Sequence, residues 1–134
     1  MNKVTPRGIR NNNPLNIRIG NTWLGERADP TDQEFEEFVT IEYGLRAAFL
    51  ILRRYIRRYK KNTVTSIVST WAPSSENNTV RYIDTVCDRT GLRPDETIQY
   101  EDKVTMCQLV EAMALVECGQ PIPSGKIERA YDMA

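Results

Sequence analysis

The stretch KVTMCQLVEAMALVEC, Lys103–Cys118, is the longest apolar run of the chain and decides how the rest is read. Asp102 before it is an N-cap residue and Gly119 after it a helix stop, so the stretch predicts one helix. On a wheel at about 100° per residue with Met106 at zero, Gln108, Glu111 and Leu115 fall near 200°, 140° and 180° and form a narrow solvent stripe. Leu109, Val110, Met113 and Val116 crowd between about 280° and 40°. Glu117 lands at about 20°, inside the apolar arc and in line with Val110 and Met106. An apolar surround disfavours the carboxylate form, and the negative end of the helix dipole acts in the same direction. A glutamic acid that is still neutral near neutral pH is the general acid that glycosidic cleavage requires. The plainer reading is a fraying helix end whose carboxylate pairs with an arginine.

Outward from this helix, the chain reads as helical as far back as Glu42. Leu45, Ala48, Phe49, Leu52, Tyr55, Ile56 and Tyr59 recur at spacings of three and four, which predicts an amphipathic helix from Glu42 to about Tyr59. Its other face carries Arg53, Arg54, Arg57 and Arg58, followed by Lys60 and Lys61. A solvated, dispensable face is the first expectation for these charges and polyanion binding the lesser one. Thr63 or Thr65 can cap a short helix to Trp71, which Ala72-Pro73 stops. Asn77 or Asn78 can cap another ending before Gly91, and Ser124 a last one to the C-terminus. Before Glu42 the reading changes. Thr5 to Gly25 holds Pro6, Gly8, Asn11, Asn12, Asn13, Pro14 and Gly20, turn formers that helices avoid. Short alternating pieces at Asn16–Ile19 and Phe35–Val39 suggest a small hairpin beside an acidic stretch containing Glu26, Asp29, Asp32, Glu34, Glu36 and Glu37.

Composition narrows the chemistry. The 134 residues are 40% apolar and 27% charged, enough for one folded domain over 1–134, with 18 basic and 18 acidic residues giving a formal charge of zero. Nothing global points to nucleic acid or a membrane surface. Histidine is absent, which removes Ser-His-Asp and Cys-His nucleophile systems and His-ligated zinc. Cys87, Cys107 and Cys118 offer no tight ligand pair and read as reduced core thiols. No metal or cofactor is called for, so unaided hydrolytic or lyase chemistry would fall to carboxylates. No apolar run is long enough to span a membrane, and Met1–Arg10 lacks the apolar stretch of a signal peptide, so synthesis in a bacterial cytoplasm is expected.

Two polar clusters could accompany Glu117. Arg10-Asn-Asn-Asn-Pro-Leu-Asn-Ile-Arg18, with Asn11, Asn12, Asn13 and Asn16 beside Trp23, packs amides suited to acetamido and hydroxyl groups. Trp71-Ala-Pro-Ser-Ser-Glu-Asn-Asn-Thr79, with Glu76, Asn77 and Asn78 and then Tyr82, is a second such loop. Turn scaffolding and helix capping explain both equally well.

At these residues the chain resembles a family of prophage proteins, labelled virion structural or lytic proteins, that belong with lysozyme-like peptidoglycan-cleaving domains. The resemblance rests on Arg7-Gly-Ile-Arg-Asn-Asn-Asn-Pro-Leu-Asn-Ile-Arg18, Trp23-Leu-Gly25, Gly44-Leu-Arg-Ala47, Trp71-Ala-Pro, Glu76-Asn-Asn-Thr79 and Tyr82, and covers nearly the whole chain. Lysozyme-like lytic transglycosylases share the pieces in another order, with a catalytic Glu at a helix end, and Ala114-Leu-Val-Glu-Cys-Gly119 looks like that helix end. A circular permutation would reconcile the order. The resemblance implies a mainly α (α+β), lysozyme-like domain of about five helices and a small β-hairpin that cleaves the glycan strand of peptidoglycan. Glu117 would be the acid and base, with Glu76 as runner-up and Glu26 and Glu42 behind. Asn11, Asn12, Asn13, Asn16, Trp23, Trp71, Asn77, Asn78 and Tyr82 would bind substrate. The expected partners are peptidoglycan strands and virion proteins, met at the cell wall, in the periplasm or within a virion, without nucleic acid or membrane insertion. The alternative is a non-catalytic virion structural or cell-wall-binding module of the same fold.

Overall fold

The computed structural model describes residues 5–134, so the first four residues of the polar N-terminal stretch lie outside the described residues. The fold is mainly helical. Its elements are α1 (Arg7–Arg10), α2 (Ile41–Arg57), α3 (Val64–Trp71), α4 (Thr79–Thr90), α5 (Lys103–Cys118) and α6 (Ser124–Met133).

The helix boundaries follow their caps. Thr40 accepts from the Tyr43 amide to start α2. Thr63 and Ser66 form a reciprocal capping box on α3. Asn78 caps α4 and Asp102 caps α5, each through its side chain. Helix α6 differs from expectation: Pro123 holds the N-cap position, and Ser124 is the first helical residue, without a side-chain cap bond.

Helix α5 is the centre of the molecule. Met106, Leu109, Val110, Ala112, Met113 and Ala114 are all buried, so apolar side chains meet neighbours around most of its circumference. It packs against α4 and α6 and also touches α1 and α2. Helices α2 and α6 pack on each other, where Phe49 meets Tyr131 edge-on with ring centroids 5.4 Å apart. Tyr131 in turn stacks on Tyr100 and donates from its hydroxyl to the Tyr100 carbonyl at 2.8 Å. The core is one contiguous cluster running from Leu15 to Ala130. Val116 departs from the wheel: it is exposed and borders a surface hollow, although Cys118 two residues on is buried again.

The N-terminal third differs from the expected hairpin. Among the described residues its pairing consists of two isolated antiparallel bridges, Arg18 with Phe35 and Glu26 with Phe38. Backbone bonds such as Glu36 N–H to the Ile17 carbonyl and Ile19 N–H to the Glu34 carbonyl join the two expected pieces only over this short length, and side-chain bonds add to them. A one-turn helix, α1, also stands where turn formers predicted none. Its first residue, Arg7, binds Asp32 through two nitrogens, the second at 2.6 Å, and so fastens the turn to the acidic stretch.

Gly44 explains the tight join between this region and α2. A Cβ built there would collide with the Asn12 carbonyl, so only glycine lets the first turn of α2 lie against the asparagine loop. No described helix is long and apolar enough to cross a membrane, and Cys87, Cys107 and Cys118 are free thiols.

Candidate functional site

The asparagine loop turns mostly inward. Asn12 and Asn16 take left-handed backbone conformations, φ 52° and 55°, which asparagine tolerates better than most residues. Asn13 is fully buried and donates to the carbonyls of Ile17 and Glu36 while its own oxygen accepts from the Ile17 amide. Asn11 donates to Asp32 at 3.0 Å and Asn12 to the Phe38 carbonyl at 3.1 Å. These three amides therefore hold the loop to the acidic stretch. Asn16 alone reaches the other end of the chain: its Nδ2 lies 3.2 Å from both the carbonyl and Oε1 of Glu117.

Glu117 occupies the last turn of α5, half-buried, one residue before Cys118 and two before Gly119, whose φ of 74° ends the helix. Burial raises its pKa above the ordinary carboxyl value, opposed by hydrogen bonds from Asn16 and Tyr82 and by the charge of Arg18. Tyr82 is itself buried, and burial together with the neighbouring carboxylate keeps its phenol protonated. The carboxyl is desolvated, oriented by Asn16 and placed at the negative end of a helix, a setting that suits proton exchange with a ligand.

Two depressions reach the residues that hold Glu117. A groove of about 680 Å³ is lined by Asn16, Arg18 and Trp23 from the loop, Arg54 and Tyr55 from α2, and Trp71 from α3. Trp71 is fixed there by its Nε1, which donates to the Leu15 carbonyl at 3.2 Å, and by an edge-on contact with Tyr55. A smaller hollow of about 350 Å³ is lined by Asn77, Asn78, Arg81, Tyr82, Thr85 and Val116. Asn16 belongs to the first depression and donates to the Glu117 carboxyl, whereas Tyr82 belongs to the second and its hydroxyl donates to the Met113 carbonyl at 3.5 Å, on the side of α5 that carries Glu117.

The sequence-derived candidates thus separate into groups. Asn16, Trp23 and Trp71 share the groove; Asn77, Asn78 and Tyr82 share the hollow; Asn11, Asn12 and Asn13 do not reach either lining. Asn78 also caps α4, and Asn77 donates to the Pro73 carbonyl. Glu76 is exposed, with its carboxylate 3.9 Å from Arg18. Glu42 pairs with Arg129 at 2.9 Å and Lys126 at 3.8 Å, linking α2 to α6. The basic face of α2 is exposed at Arg54, Arg57 and Arg58, but Arg53 is half-buried over the Tyr100 ring, and Arg54 forms part of the groove wall. Sequence periodicity could not place Arg54 there, because the opposite wall comes from a loop.

A second perturbed carboxyl escaped the sequence reading. Glu36 is 7% exposed, and its pKa is pushed up to about 7 by burial and by the hydrogen bond and charge of Glu26. Among the described residues no donor reaches the buried Glu36 Oε2 and Glu26 Oε1, and a proton on Glu36, which its raised pKa favours, would serve both. The acidic stretch contains six carboxylates, and nothing in their spacing singles out Glu36.

No protein-family model matches the chain. Protein P5 of Pseudoalteromonas phage PM2 is 37% identical to it over 131 residues, covering 94% of this chain and 80% of the relative. The chain belongs to the family of that phage protein. Membership in the Protein P5 family extends over the asparagine loop, the groove and α5 together, since nearly all of the chain is matched.

Proposed function

We propose that this member of the Protein P5 family is a prophage-encoded, lysozyme-like enzyme that cleaves the glycan strand of bacterial peptidoglycan, with Glu117 as general acid and then general base. The observation that supports it is the setting of Glu117: a half-buried carboxyl with a raised pKa, at a helix end, held by Asn16 from the groove and flanked by Tyr82 from the hollow. Asn16 donates to Oε1, so this reading puts the transferable proton on Oε2. In this reading Oε2 protonates the glycosidic oxygen as the bond to the sugar breaks. An acetamido or hydroxyl group of the substrate supplies the internal nucleophile, and the Glu117 carboxylate takes back the proton that this group releases. Such a lytic transglycosylase route requires no second carboxylate. The aromatic groove would hold the strand, and the enzyme would meet it at the wall or as a virion component.

The rival reading is a non-catalytic virion or wall-binding module. It is favoured by the engagement of both the Glu117 backbone and side chain by Asn16, which a purely structural clamp would also show. Glu117→Gln separates the two. Purified peptidoglycan is incubated with each protein and its products are examined for anhydro or reducing muramic ends, while the melting temperature is measured on the same samples. The enzyme reading expects unchanged melting and a loss of about 10² to 10⁴ in rate. A wild-type protein that binds the strand without producing new ends, or a destabilised but fully active variant, would refute Glu117 as the acid.

A further inference from the structure

We propose that Arg54 makes the aromatic groove a subsite for a carboxylate carried on the glycan strand, so that the chain selects acidic strands over neutral ones; this rests on the glycan reading above. The groove contains the residues such a ligand needs. Trp23, Tyr55, Tyr59 and Trp71 present aromatic surface, and the lining includes two guanidinium groups, Arg18 and Arg54, but no acidic side chain. Its electrostatic complement is therefore an apolar-faced anion.

Arg54 is distinguished from the other cations of its helix because, among the described residues, its side chain has no carboxylate, carbonyl or ring partner. Arg57 is 2.6 Å from Glu101 and also lies over Tyr100. Arg53 covers Tyr100 from the other position, and Arg58 lies over Tyr59. Arg46 donates to the Met133 carbonyl. Arg54, exposed at the groove, has no carboxylate within ion-pair distance among the described residues. Arg18 on the facing wall is held only loosely, 3.8 Å from Glu34 and 3.9 Å from Glu76, and can turn toward a bound anion.

Peptidoglycan supplies the anion regularly. Every second sugar carries a lactyl carboxyl, which is either free or extended by a peptide stem that has carboxylates of its own. A planar guanidinium binds either carboxylate through paired N–H donors, and aromatic rings beside it accept the sugar faces. Chitin-type oligomers offer the same acetamido groups and sugar faces without the charge.

The test measures binding of three strands to the protein in a Glu117→Gln background, where turnover cannot intervene: stem-bearing peptidoglycan fragments, strands freed of stems by amidase, and chitohexaose. Arg54→Gln is expected to weaken binding of the acidic strands about tenfold and to leave chitohexaose unchanged, with Arg54→Lys recovering part of the loss. The acidic preference should shrink as salt rises from about 50 to about 500 mM. Loss on both acidic strands assigns the lactyl carboxylate, and loss confined to the stem-bearing strand assigns the stem. Equal weakening on all three strands, or none on any, overturns the subsite while leaving the glycan reading standing. Wild-type protein that neither binds nor cleaves any strand overturns both.

Discussion

Replacing Glu36 by Gln should remove a large part of the protein's stability loss between about pH 4.5 and 7. Glu36 is almost completely buried and is the neutral partner of Glu26. Its folded-state pKa is raised from 4.5 to about 7, so folding favours the protonated form. The stability this contributes is fully present below about pH 4.5, declines as the unfolded chain ionises first, and is gone once pH passes the folded value near 7. Each pH unit between the two values is worth about 1.4 kcal/mol, so the wild type should lose about 3 kcal/mol between pH 4.5 and 8.5 from this group. Gln keeps the size and a donor toward Glu26 but cannot ionise. Urea unfolding of both proteins at several pH values isolates the effect, because every other titrating group is common to both and cancels in the difference. The curves should nearly coincide near pH 4.5 and diverge to about 3 kcal/mol in favour of Glu36→Gln at pH 8.5. Parallel curves across the whole range would refute the shared proton, and a variant destabilised at every pH would mean that Glu36 is held as a carboxylate.

Gly44→Ala should destabilise the protein by about 1 to 3 kcal/mol, although the same exchange in an open helix gains about 1 kcal/mol, because the added methyl meets the Asn12 carbonyl. Thermal melting decides the sign, and a raised midpoint would show that the loop yields. Asp32→Asn should cost about 2 to 3 kcal/mol, since the carboxylate receives Arg7, Asn11 and the amides of Glu34 and Phe35. These donors hold the Asp32 pKa well below the usual carboxylate range, so its contribution is present above about pH 4 and is lost as pH falls through the folded value. The difference between wild type and Asp32→Asn should therefore narrow toward strong acid, as chemical denaturation at pH 7 and pH 2 would measure.

The legible parts of the chain were those governed by local rules. Asp102 and Gly119 bound α5, Asn78 begins α4 and Thr63 begins α3, because a cap is a contact within one turn and its residues are adjacent in sequence. Glu117 was visible for a similar reason: a helical wheel converts position directly into a face. The wheel failed one residue earlier, at Val116, where the neighbour that should cover the face is missing. The N-terminal third was harder, since Asn13 and Asp32 supplement a few backbone pairings with side-chain bonds whose partners lie up to 25 residues away. Turn-forming residues showed that the chain bends there; they did not show that the amides of Asn11, Asn12 and Asn13 are turned inward. The groove was illegible for the same physical reason: Arg54 and Tyr55 acquire a role only once Trp71 and the loop carrying Trp23 are brought against α2.

The two residues with raised carboxyls are fastened to one piece of chain. Asn13 joins Ile17 to Glu36, and Asn16, three residues on, holds Glu117 across a separation of 101 residues. Ionisation of Glu36 puts a buried negative charge on the residue whose carbonyl accepts from Asn13, three residues before the Asn16 that reaches Glu117. Ionisation of Glu117 removes the proton that the proposed cleavage transfers. Both events belong to rising pH, so stability and turnover should fall together in the wild type, and their coincidence alone cannot say which carboxyl limits the rate. Glu36→Gln breaks the coincidence. It removes the stability loss while leaving Glu117 free to titrate, so a decline in turnover that persists in this variant belongs to the acid itself. A decline that disappears with it belongs to the loop that holds the acid in place.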